Sequence, residues 1–98
     1  MSRSKAWVVN AADNVGTIVG DDAASNTEIS IVGSVAAKIK VMQTVPYGHK
    51  IALQDLPARC PVLKYGVVIG SLLTSVNKGE HIHTHNMESL RGRGDLNI

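Results

Sequence analysis

Three of the chain's four histidines, His81, His83 and His85, occupy alternate positions in the stretch GEHIHTHN, residues 79–86. In an extended strand, residues at i, i+2 and i+4 share a face, with successive neighbours about 6.6 to 7 Å apart. A row of imidazoles at that spacing can hold a metal ion, because imidazole nitrogen suits Zn, Fe, Mn or Ni with a carboxylate or water completing the shell. It can also move protons near neutral pH. No fourth ligand is evident in the sequence, so a solvent-facing polar strand face, backed by Ile82 and Thr84, remains an equal reading of the same residues.

The fourth histidine, His49, stands beside Lys50 in PYGHKIAL. Gly48 lets the backbone turn just before a strand, a place from which His49 or Lys50 can project into a site, although a solvated start of a strand explains them as well. Tyr65, flanked by Lys64 and Gly66, reads as a ring packed on backbone that the glycine leaves bare. Cys60 lies before Pro61 in a turn with no histidine near it in sequence, the setting of an inert thiol. The Arg-Gly-Asp tripeptide at Arg93 to Asp95 is short enough to arise by chance.

These side chains must be positioned by short strands. Apolar runs broken by Gly, Pro, Asn and Asp dominate, and no window sustains the helical i, i+3, i+4, i+7 spacing. The pattern predicts an all-β domain with strands at Ala6 to Val9, Thr17 to Val19, Glu28 to Val32, Ala37 to Val41, Lys50 to Leu53, Val62 to Lys64, Val67 to Ile69 and Glu80 to His85. KIKVMQTV and HKIALQDL alternate polar with apolar residues, so each strand has one face on a core and one in water. A weak repeat lays Ile51 to Leu63 over Ser71 to His83, matching Leu53 with Leu73, Leu56 with Val76 and Val62 with Ile82. Thr17 to Ile29 follows more loosely, with Asp22 at an apolar position. The expected division is a domain over residues 1–85 and an exposed, polar, Arg/Gly-rich tail over 86–98 that serves for docking or as a linker.

Composition narrows the function classes. A chain of 98 residues allows one domain, and with no Phe, one Trp and two Tyr its core must be aliphatic. The net charge of +2 is scattered, without the basic patch and stacking aromatics that nucleic-acid binding needs. One cysteine excludes an intrachain disulfide and fits a reducing compartment. No run is long enough for a signal peptide or membrane span. The expectation is a soluble cytoplasmic protein with no nucleic-acid or membrane partner.

Four motifs in order carry a family resemblance: Gly48-His49-Lys50, then Tyr65-Gly66-x-x-Ile69-Gly70, then His83-x-His85-Asn86, then Glu88-Ser89-x-Arg91-Gly92-Arg93-Gly94-Asp95. Together they resemble the N-terminal, SAF-type β-clip domain of the altronate and galactarate dehydratase family, over roughly residues 14–96 and most closely from Pro46 onward. The resemblance implies a β-clip fold and a share in a hydro-lyase acting on sugar acids. That chemistry removes a proton beside a carboxylate, expels hydroxyl from the next carbon, and stabilises an enolate-like intermediate. It implies catalytic roles for His83, His85 and His49, metal ligation by His83 and His85, and substrate binding by Lys50, Tyr65 and Asn86, with His81 at a variable position. The implied cofactor is a divalent ion, Fe, Mn or Mg, in the assembled enzyme. The implied partners are a sugar acid and a large dehydratase subunit, with homo-oligomerisation left open. On that reading the chain is a separately encoded small subunit or an excised domain, and is inactive alone. The alternatives are the small subunit of a sulfolactate sulfo-lyase type of enzyme, which expels sulfite, and a non-catalytic β-clip that binds a sugar acid or metal.

Overall fold

The computed structural model describes residues 3–89, and among them there is no helix. Nine strands form: β1 (Lys5–Val8), β2 (Val15–Val19), β3 (Glu28–Gly33), β4 (Ala37–Lys40), β5 (Lys50–Ala52), β6 (Pro61–Lys64), β7 (Val67–Leu72), β8 (His81–Ile82) and β9 (Met87–Ser89). Six make one sheet in the order β4-β3-β1-β2-β5-β8, and three make a second, β6-β7-β9. All neighbouring pairs are antiparallel except β1 and β3, which run parallel. Alternation decides which faces are buried: in β1, Ala6 and Val8 are fully buried while Lys5 and Trp7 face out.

The strands are joined by one corner used four times. Its eight residues are Asp22 to Ile29, Thr44 to Ile51, Asp55 to Val62 and Ser75 to Ile82. The second and eighth positions are buried in every copy: Ala23 and Ile29, Val45 and Ile51, Leu56 and Val62, Val76 and Ile82. The fifth is left-handed in every copy, with φ of 68° at Asn26, 86° at Gly48, 69° at Arg59 and 89° at Gly79. The N–H of the sixth residue then donates back to the carbonyl of the third, as in Cys60 to Pro57 and Glu80 to Asn77. This is a tight turn whose third residue needs positive φ, feeding directly into a strand.

The corners pair two by two. Ala23 and Val45 exchange both backbone hydrogen bonds, and so do Leu56 and Val76. The Asp22 carboxylate accepts from the Tyr47 N–H, and the Asp55 carboxylate accepts from the Lys78 N–H in the same way. Asp22 is therefore the counterpart of Asp55, and the apolar position belongs to Ala23; the expected repeat was displaced by one residue there.

Two aliphatic cores result. One gathers Ala6, Val8, Ile18, Ala23, Ile29, Ile31, Ile39, Val41, Val45 and Ile51, and the other Val15, Ala52, Leu56, Val62, Leu72, Val76 and Ile82. Buried Asn14 ties them: its amide nitrogen donates to the Pro61 carbonyl and its oxygen accepts from the Leu63 N–H, while its own carbonyl accepts from the Leu53 N–H. Asp13 clasps the β6–β7 hairpin by accepting from the N–H groups of Tyr65 and Gly66.

All eight expected strands exist, with ends shifted by a few residues. The exception in extent is Glu80 to His85: β8 ends at Ile82, and residues 83–86 turn. The polar stretch after His85 also departs from expectation, because β9 pairs with β7 through Gly70–Ser89, Ser71–Glu88 and Leu72–Met87. The folded unit thus runs past residue 85. The proposed docking tail otherwise falls on residues 90–98, which lie outside the described residues. No helix of the described residues is long and apolar enough to cross a membrane.

Candidate metal and acid-base site

Strands β5 and β8 are neighbours, in the register Lys50–Ile82 and Ile51–His81. Carrying that register one step further sets His49, just before β5, opposite His83, just after β8. Their rings stack with centroids 3.7 Å apart and planes 11° from parallel. His81 joins them: its Nε2 lies 2.8 Å from His49 Nδ1, and its ring stacks 5.0 Å from that of His49. One nitrogen from each of His49, His81 and His83 falls within 4.8 Å of the others.

The turn after β8 is what folds His83 back over His49. Asn86, only 7% exposed, commits all four of its polar groups to it. Its side-chain oxygen accepts from the His83 N–H, its amide nitrogen donates to the His81 carbonyl, its N–H donates to the His83 carbonyl, and its carbonyl accepts from the Leu73 N–H. Asn86, expected to bind substrate, thus holds the backbone on both sides of Ile82. From the other side the Gln43 side chain accepts the His81 N–H.

The third histidine of the sequence row, His85, is carried by the turn and leaves the three-nitrogen cluster. Its ring tilts against His81 with centroids 4.8 Å apart. His81, expected at a variable position, joins His49 and His83 in the three-nitrogen cluster. Contacts across β5 and β8, rather than alternation along one strand, make the cluster.

Burial disfavours the charged form of His81 and of His83. Burial pushes His81 from the ordinary 6.5 down to about 4, with the neighbouring His85, His49 and His83 adding to it. His83 is lowered as well, first by burial, then by His49, Lys50 and His85. Neutral imidazole is the form that binds a metal, so a low pKa removes the competing proton. His83 Nδ1 is buried and has no hydrogen-bond partner. A buried nitrogen without a partner is costly, and a ligated ion would satisfy it. The donor set therefore fits a metal ion.

Lys50, half-buried on β5, has its pKa lowered by burial and then by Lys64. Tyr65 sits at the tip of the β6–β7 hairpin with φ 59° and an exposed ring, 4.9 Å from Lys64 Nζ. Of the six expected site residues, His49 and His83 stack and Lys50 follows His49 on β5, His85 touches the cluster through His81, Asn86 holds the backbone of His81 and His83, and Tyr65 lies at the tip of the β6–β7 hairpin. Gln43, which accepts the His81 N–H, was missed. Only the four-fold corner pattern could have shown that Lys50 and His81 open equivalent strands.

Residues 4–90 match the family model described as the altronate/galactarate dehydratase SAF domain. The chain is similar to (2R)-sulfolactate sulfo-lyase subunit alpha of Chromohalobacter salexigens, 41% identical over 54 residues, which is 55% of this chain and 57% of that one. It is similar to altronate dehydratase of Escherichia coli, 37% identical over 78 residues, 80% of this chain but 15% of the enzyme. Galactarate dehydratase (L-threo-forming) of the same organism is 32% identical over 74 residues, 76% of this chain and 13% of the enzyme. The chain thus spans little more than half of the sulfo-lyase subunit and about a seventh of each dehydratase.

Proposed function

The chain belongs to the altronate/galactarate dehydratase SAF-domain family, and from that premise we propose that it is the small subunit or N-terminal domain of a sugar-acid hydro-lyase, contributing histidines to a site completed by a larger partner. The observation that carries this reading is the convergence of His49, His81 and His83 on one point of a domain whose relatives are lyases.

The reaction is loss of water from a hydroxy acid: a base takes the proton on the carbon beside the carboxylate, and hydroxide departs from the next carbon with a proton supplied by an acid. The resulting enol becomes a ketone by moving its proton to carbon. His49, His81 and His83 would hold a divalent ion, which when bound supplies a Lewis acid toward the developing enolate oxygen. Three imidazoles suit iron better than manganese and match magnesium poorly, since magnesium demands oxygen ligands. His85 lies outside the three-donor cluster and its imidazole is free to carry the proton of the departing hydroxyl. Lys50 supplies positive charge beside His83 for the substrate carboxylate.

The test is to express the chain with a large dehydratase-like partner and follow dehydration of altronate and galactarate, with and without chelator. Chelator-sensitive turnover restored by iron is expected. Full turnover by the partner without this chain would overturn the proposal, as would a complex insensitive to loss of all three histidines.

A second reading has its own support, in that the chain covers 57% of the Chromohalobacter salexigens sulfo-lyase subunit. There the departing group is sulfite, and assay of sulfite release from (2R)-sulfolactate decides between the two. A non-catalytic sugar-acid or metal binder would bind ligand and leave both assays flat.

A further inference from the structure

Strands β4 and β8 are the outermost of the six-stranded sheet, yet the chain just past β4 lies along the outer side of β8. The Met42 N–H donates to the Gly79 carbonyl at 2.9 Å, and the Lys40 carbonyl leaves no room for a Cβ at Gly79. The first corner holds this segment in place. Val41 is fully buried, its N–H donates to the Thr27 carbonyl and its carbonyl accepts from the Asn26 N–H, while the Ser25 hydroxyl donates to the Met42 carbonyl. Gln43 therefore starts from a fixed backbone, and its exposed side chain crosses the seam to accept from the His81 N–H at 3.0 Å.

His81 depends on that bond because β5 does not hold its peptide groups. It stands opposite Ile51, and its N–H and carbonyl both go to side-chain amides, the N–H to Gln43 and the carbonyl to Asn86. This is the kind of antiparallel pair whose backbone groups point away from the neighbouring strand. Strand β8 is two residues long, so little besides these two amides fixes the direction in which the His81 side chain leaves the backbone. We infer that Gln43 is a positioning residue of the histidine site, whose acceptor oxygen holds His81 where its Nε2 meets His49 Nδ1 at 2.8 Å. The inference rests on the reading of His49, His81 and His83 as a metal site, and extends the support of that site to the first corner, which carries no histidine.

The experiment uses the full chain with isotope-labelled histidine, and compares Gln43→Met, which keeps the length but loses the acceptor, with Gln43→Glu, which keeps an acceptor oxygen. Thr44→Val is the control, since it removes from the same segment the bond that the Ser25 N–H donates to the Thr44 hydroxyl, and none to His81. Gln43→Met should weaken cobalt binding about tenfold, the usual effect of losing a group that orients a ligand. It should also displace the imidazole resonances of His81 and His49 in the metal-free chain. Gln43→Glu and Thr44→Val should keep both properties close to those of the unsubstituted chain. Gln43→Asn, whose amide falls one carbon short of His81, makes the same comparison should Gln43→Met fail to fold. Unmoved imidazole resonances in the acceptor-deficient variant overturn the inference and leave Gln43 as a rung of the seam, as does an equal displacement by Thr44→Val. An unsubstituted chain that binds no cobalt overturns the metal reading alone, because the resonances of the metal-free chain still decide whether Gln43 places His81.

Discussion

Corners two and four carry His49 and His81, whereas corners one and three, built on the same backbone, carry Thr27, Glu28, Cys60 and Pro61 at the matching sixth and seventh positions. The difference in chemistry follows from where each corner delivers its strand. Corners two and four open into β5 and β8, which pair with each other; corners one and three open into β3 and β6, which lie in separate sheets. A repeated turn becomes a site only where the topology makes two copies adjacent. Side chains at such a junction meet across strands, while the same positions elsewhere face water or core.

The largest expected effect contrasts the glycines of those two histidine-bearing corners. A Cβ at Gly79 would lie 2.2 Å from the Lys40 carbonyl oxygen, but one at Gly48 meets nothing within 4 Å. Gly79→Ala should cost more than about 3 kcal/mol, combining backbone clash with left-handed strain, while Gly48→Ala should cost only the strain, about 1 to 2 kcal/mol. Urea denaturation of both variants measures the gap, and equal losses would mean that the two corners are not packed differently.

Next come the histidines. In the assembled enzyme His49→Ala, His81→Ala and His83→Ala should each lower turnover by about a hundredfold or more, and His85→Ala by a similar factor while leaving metal binding intact. Thr27→Ala and Cys60→Ala, at positions matching His49, should leave turnover where it was. If Cys60→Ala proved as damaging as His49→Ala, the contrast between corners would fail.

Asn86→Ala should lower stability by about 1 to 3 kcal/mol, because it strips partners from the His83 N–H and the His81 carbonyl. Metal affinity should fall about tenfold to a hundredfold with it, the usual effect of removing a group that orients ligands. Calorimetric metal titration of the variant checks this; unchanged affinity would leave Asn86 with a purely structural role.

Acid should weaken the histidine edge selectively. Below the ordinary 6.5 the unfolded chain protonates His81, but the folded chain keeps it neutral down to about 4. The unfolded state therefore binds more protons in that window, and stability falls as pH drops from 6.5 toward 4, with no contribution from this residue above it. His81→Gln should flatten thermal unfolding midpoints over that range. A slope unaltered by the substitution would assign the acid sensitivity elsewhere.

The smallest effect concerns a corner without histidine. Arg59 is exposed and holds φ 69°, where glycine carries no steric penalty. Arg59→Gly should stabilise the chain by at most about 1 kcal/mol, since relief of strain is partly offset by glycine's greater freedom when unfolded. A loss of stability would show that the Arg59 side chain contributes packing that outweighs its backbone strain.

Sequence alone determined the class of structure and the chemistry available to it. Alternation in KIKV, frequent turn residues and the absence of helical periodicity are local properties, so the all-β reading and eight of the nine strands followed from them. The same was true of the histidines as candidate ligands and of Gly48 as a turn. Tertiary structure alone decided which nitrogens meet. Along the chain His81, His83 and His85 form one series, and His49 lies 32 residues before His81. Pairing of β5 with β8 brings His49 into the cluster, and the Asn86 turn takes His85 out of it. The buried Asn86 and the strand made from polar Met87–Ser89 were likewise hidden, because each depends on a partner distant in sequence. Periodicity reports how one segment meets water and core; contacts between segments are set by strand order and register, which no single segment encodes.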